Sequence, residues 1–160
     1  MINVSDRDFG ELKFDGAWTG ECEILIFGSL CKVDLVVQIF DGATISEVQR
    51  LAFREFELDK NKFSVIVGEA VFNYYLSRID EYRACFGTDE LAVKVPDVYE
   101  VDDMRSLVSL RCVKIMSPFE ADVRQVGFIF DAIFDPQLGL GVLVTNGSVE
   151  AVDTQDILLG

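Results

Sequence analysis

Carboxylates are the side chains in this chain most able to do chemistry. Glu100, Asp102 and Asp103 form the densest cluster, and Asp131 and Asp135 stand at the end of the aromatic segment Phe128-Ile129-Phe130-Asp131-Ala132-Ile133-Phe134-Asp135. Paired carboxylates serve as acid and base when burial or mutual repulsion drives their pKa values apart. Both groups also have a local explanation. Acids at a helix start complement its exposed N–H groups and dipole, which suits the first cluster. Asp131 and Asp135 could equally face solvent or begin a turn.

The rest of the inventory narrows the chemistry. The chain contains no histidine, which removes Ser-His-Asp and Cys-His mechanisms and every His-containing zinc site. Cys22, Cys31, Cys85 and Cys112 are widely spaced, with no C-x-x-C pair. Reduced, mostly buried thiols are the expectation, with no metal and no cofactor. No phosphate-binding G-x-x-x-x-G-K-[ST] loop occurs, and Leu138-Gly139-Leu140-Gly141 lacks the third glycine of a dinucleotide turn. Tyr74 and Tyr75 fit either a binding face or a helix core, and Trp18 either a partner anchor or a core lid. No residue is assigned a catalytic role, and the expectation is a protein that is not an enzyme.

Charge indicates the kind of partner. Against 28 Asp and Glu stand 14 Lys and Arg, a formal net charge of −14, and no Lys or Arg follows Arg124. Phosphate backbones and anionic membranes need clustered cations, so neither nucleic acid nor membrane is an expected partner. A negative field steers a basic protein surface, although net charge also serves solubility alone. The longest apolar region, Phe63 to Tyr75, is interrupted by Glu69 and Asn73 and falls short of the ~20 residues of a membrane span. The amino terminus shows no basic region leading into an apolar stretch. A soluble, cytoplasmic protein is expected, folded as a single domain over residues 1–160.

The elements that position these groups follow from periodicity. Phe9 to Phe14, Trp18 to Phe27 and Cys31 to Ile39 alternate apolar with polar residues and read as an antiparallel meander. Asp15-Gly16, Gly28-Ser29 and Asp41-Gly42 mark its turns. Val48, Leu51, Ala52, Glu55 and Phe56 then recur at helical spacing, predicting a helix from Ser46 to Leu58 capped by Thr44 or Ser46. A second, longer helix carries the broad stripe from Phe63 through Tyr82 to about Ala84. Gly87 to Pro96 reads as a loop and 101–108 as a short helix. Strand character returns at Val108 to Met116, Arg124 to Phe134 and Gly141 to Val144, with Asn146-Gly147 as a hairpin signal before Val149 to Val152. The predicted class is α+β: an antiparallel sheet, made of the amino-terminal meander and the carboxyl-terminal strands, with two central helices packed on it.

The run Phe128 to Val142 resembles the carboxyl-terminal signature of a group of uncharacterised bacterial domains, in which an aromatic strand ends in Trp-Asp-x-Glu-His-Gly-x-Gly-Val. Ile45-Ser46-Glu47-Val48-Gln49 with Phe53 and Phe56, then Asn73-Tyr74-Tyr75, is similar to that group's two-helix centre. Val149 to Val152 and Asp156 look like its closing segment. Phe134 stands in place of the Trp, Gln137 of the Glu and Leu138 of the His, while Asp135, Gly139 and Gly141 remain. The resemblance implies unknown function with a loose link to toxin-immunity neighbours, and the exchanges suit a structural turn better than catalysis.

These readings converge on noncovalent binding, as an immunity-type inhibitor that offers Glu100, Asp102, Asp103, Asp131 and Asp135 to a basic protein. A small-ligand domain or an unrecognised carboxylate enzyme built around Asp135, Gln137 and Tyr74 is the alternative. A homodimer through exposed aromatic side chains is a third.

Overall fold

Segments of strand period line up in chain order to build one eight-stranded sheet, seen in a computed structural model that describes residues 2–40, 43–118 and 120–159. Its strands are β1 (Ile2–Asp6), β2 (Gly10–Phe14), β3 (Trp18–Ile26), β4 (Ser29–Val37), β5 (Val108–Ile115), β6 (Gln125–Ala132), β7 (Leu140–Thr145) and β8 (Ser148–Asp153). The α+β class holds, but the sheet is mixed rather than wholly antiparallel. β4 and β5 run parallel, Asp34 beside Cys112 and Val37 beside Ile115, while every other neighbouring pair is antiparallel. A parallel join needs a long crossover, and the helical middle of the chain provides it.

Turn chemistry explains the hairpins. Asn146 and Gly147 adopt φ of 51° and 82° in the two-residue connection expected between β7 and β8. Phe27 and Gly28 do the same between β3 and β4, with φ of 51° and 75°, so that turn lies one residue earlier than Gly28-Ser29. The expected Asp41-Gly42 turn lies outside the described residues.

α1 (Glu47–Leu58) starts at a reciprocal cap. Ser46 Oγ accepts from the Gln49 N–H at 3.2 Å, and Gln49 Oε1 accepts from the Ser46 N–H at 3.0 Å. Gln49, Ala52, Phe53 and Phe56 form its buried face, whereas Leu51 is exposed, so the face is rotated from the one the spacing predicted. Gln49 is the only buried polar or charged side chain among the described residues, and its amide donates to the carbonyls of Gln38 and Ile115 at the end of the parallel join. Gln49→Leu removes the side-chain bonds to those two carbonyls, of which that of Ile115 keeps the bond from the Gln38 N–H, and takes from the Ser46 N–H its acceptor in an apolar setting. A loss of about 2 kcal/mol in urea unfolding is expected; a loss near zero would show that the cap and the join do not depend on this amide.

After Asp59 the chain re-enters helix as α2 (Lys60–Arg83), which buries Phe63, Val67, Gly68, Val71 and Tyr75. Phe56 and Phe63 pack on Phe128 of β6 with ring centroids 6.0 and 6.1 Å away. The short helix expected at 101–108 is a 3-10 helix over Val101–Ser106, and the helical complement exceeds that helix and the two central ones: α3 (Leu91–Lys94) occupies the predicted loop, and a second 3-10 helix, Gln155–Leu158, follows β8.

β1 was not foreseen. Its hairpin with β2 curls onto α1, where Phe9 stacks on Phe53 at 4.7 Å. Arg50 binds Asp6 through both terminal nitrogens, at 2.8 and 3.0 Å, and reaches Asp8 at 2.9 Å. Arg54 grips Asp8 from one turn further on, at 3.0 and 3.2 Å. Fork-shaped pairs of this kind tie the β1–β2 turn to α1.

Candidate functional site

The parallel join decides where the acids meet. Because β4 and β5 start at the same end of the sheet and β6 returns antiparallel, the β3–β4 turn, the 3-10 helix before β5 and the end of β6 share that end. Glu100, Asp102, Asp103, Asp131 and Asp135 are therefore gathered on one end of the sheet, although the sequence separates them.

Their individual roles differ. Asp103 accepts from the N–H groups of Tyr99 and Glu100 at 2.8 and 3.0 Å, and these bonds hold its carboxyl below the usual carboxylate range. It caps the 3-10 helix, the local role that its position allowed. Glu100 and Asp102 are exposed, and Asp102 leans over Gly28 at the β3–β4 turn. Asp131 is exposed on β6, paired with Arg111 at 3.5 Å and receiving a bond from Gln155 at 3.4 Å. Asp135 accepts from the Leu138 N–H at 3.3 Å, and its backbone carbonyl from Gly139 at 2.9 Å.

The turn from Asp135 to Gly139 is built as a structural joint. The Gln155 N–H donates to the Leu138 carbonyl at 3.0 Å, and its side-chain amide donates to the Phe130 carbonyl at 2.7 Å. Gly139, at φ 57°, leaves the space: a Cβ there would lie 2.2 Å from Gln155 Nε2 and 2.4 Å from the Phe130 carbonyl. Gly127 and Gly141 make comparable room for Leu158. The glycines of this run thus seat the closing 3-10 helix.

Phe134 explains the aromatic position of the same run. It is buried between Tyr75 and Tyr82, with centroids 4.8 and 4.6 Å away. Tyr75 is fully buried, its hydroxyl donates to the Pro96 carbonyl at 2.6 Å, and burial pushes it up to about 12. Tyr74 is half-buried, bonded to the Tyr82 hydroxyl and covered by the Arg78 guanidinium at 4.8 Å from its ring. Burial is the main cause that raises the Tyr74 and Tyr82 hydroxyls, with the negative charge of Asp135 adding to it. Asp135 and Tyr74 are thus within electrostatic reach, while Gln137 is exposed.

Burial likewise raises the thiols of Cys22, to about 12, and Cys112, to about 11; Cys85 is exposed. Among the described residues no three His, Cys, Asp or Glu side chains are grouped to hold a metal ion, and no helix is long and apolar enough to cross a membrane. Sequence reasoning passed over Asp6, Asp8, Arg50 and Arg54, whose Asp-x-Asp and Arg-x-x-x-Arg spacings were the available signal.

Residues 8–159 match the model of a family described as a domain of unknown function, DUF6985. No curated protein and no solved structure matches the chain significantly.

Proposed function

Since the chain belongs to the DUF6985 family, for which no activity is described, we propose from its charge and geometry that it acts by noncovalent binding, as an immunity-type inhibitor of a basic protein. The observation that carries this reading is the topology that collects Glu100, Asp102 and Asp131 on one exposed end of the sheet, in a molecule of net charge −14. Such a field accelerates encounter with a cationic surface and rejects anionic ones. Asp103 and Asp135 belong to the scaffold of that end, since both carboxylates bind backbone N–H groups. A catalytic role is not part of the proposal. The Tyr74 hydroxyl is engaged by Tyr82, and Gln137 is exposed.

The test is coexpression with the product of the adjacent gene and measurement of the association rate. With E100Q/D102N/D131N, or at high salt, the rate is expected to fall about tenfold. A rate indifferent to both changes removes the electrostatic reading.

A further inference from the structure

The β2–β3 pairing is much shorter than the strands. It covers only Lys13 with Thr19 and Phe14 with Trp18, whereas β3 pairs with β4 over its whole length, Trp18 to Ile26. The two strands pass closely at Gly20, where a Cβ would lie 3.0 Å from the Glu11 carbonyl and from Leu12, and then part. Between them opens a cleft of about 610 Å³, floored by the buried Phe9 and Leu12 and lined by the exposed carboxylates of Glu11, Glu21 and Asp34.

Acids outnumber cations three to one in its lining. Glu21 and Asp34 stand directly opposite each other on β3 and β4, a like-charge pairing that weakens a sheet, and neither has an ion-pair partner among the described residues. Lys13 is the single cation of the lining. Splayed strands also present main-chain groups that a peptide in extended conformation can meet.

We propose that this cleft receives an extended segment of a basic partner, its Lys or Arg side chains directed at Glu21, Asp34 and Glu11 and its main chain at the stretches of β2 and β3 that do not pair with each other. The proposal shares with the reading above only the positive charge of the partner. It places the contact on the amino-terminal strands, apart from Glu100, Asp102 and Asp131.

The experiment uses the full chain, isotopically labelled, titrated with an octapeptide of alternating Lys and Thr and followed by amide chemical shifts. Expected are shifts at Gly10 to Lys13 and Thr19 to Glu21, and about tenfold weaker binding to E21Q/D34N. That variant relieves the like-charge pair and so is expected to keep its fold, which its own spectrum verifies. A Gln-Thr octapeptide should not bind. Shifts confined to the sheet end around Asp102 and Asp131, or equal affinity for E21Q/D34N, overturn the cleft and leave the sheet-end reading standing. Absence of any binding overturns the cleft and counts against a basic partner altogether.

Discussion

Gly139→Ala should lower the free energy of unfolding by about 3 kcal/mol, among the largest single-residue losses expected in this chain. Two effects add. At φ 57° an alanine is held in a left-handed conformation that glycine adopts without strain. Its methyl carbon would also fall 2.4 Å from the Phe130 carbonyl, a backbone atom of β6 that cannot turn aside. Part of the clash is with the Gln155 side chain, so G139A/Q155A separates the contributions. The double variant should stay destabilised relative to Gln155→Ala, because the main-chain contact persists. Urea midpoints for the three variants decide the matter, and a Gly139→Ala midpoint equal to that of the parent protein would refute the steric account of this turn.

Arg50→Met is the second large effect, about 2–3 kcal/mol at neutral pH, from charge-assisted bonds lost to two carboxylates. The side chains of Asp6 and Asp8 are each only 13% exposed, so water compensates them poorly once the guanidinium is gone. The pH dependence carries a definite sign. The Arg50 hydrogen bond holds Asp6 well below its ordinary value of 3.8, and Arg54 followed by Arg50 holds Asp8 below the same value. Carboxylates depressed in the folded state add stability that is complete above the unfolded value and is lost as pH falls through the folded one. The parent protein should therefore lose stability as pH drops below about 4, and Arg50→Met should lose less over that interval. Parallel acid limbs for the two proteins would disprove the linkage.

How much of this was legible in the chain depended on which physical signal each part left behind. β3, β4, β6 and the Asn146-Gly147 hairpin follow from strict alternation and from residues that accept positive φ. α1 and α2 follow from apolar spacing and the Ser46 cap. β1 is short and mostly exposed, so Ile2-Asn3-Val4-Ser5-Asp6 gave too little burial contrast to identify. The rotation of the α1 face could not be read because Gln49, a polar residue, occupies a buried position that Leu51 was expected to share. Neither could the parallel join be inferred, since alternation in β4 and β5 is the same whichever direction the neighbour runs.

The candidate site was visible only in part. The clusters at 100–103 and 131–135 could be named from composition, but their convergence depends on a strand direction that local patterns do not encode. Asp103 and Asp135 turned out to serve backbone N–H groups, as the local explanation held. Glu11, Glu21 and Asp34 are scattered through alternating strands where acids on the polar face attract no notice. Their meeting depends on Gly20 letting β2 cross and diverge, which is a tertiary event.

The β4–β5 join has a kinetic consequence. Each half of the sheet is a succession of hairpins whose partners are neighbours in the chain, while the join must bring Val37 to Ile115 across the entire helical crossover. The entropy of closing that span falls on one step, so hairpin formation in the two halves should run ahead and docking of the halves should limit the folding rate. Substitutions at the join would then slow folding, and those in the outer hairpins would chiefly hasten unfolding.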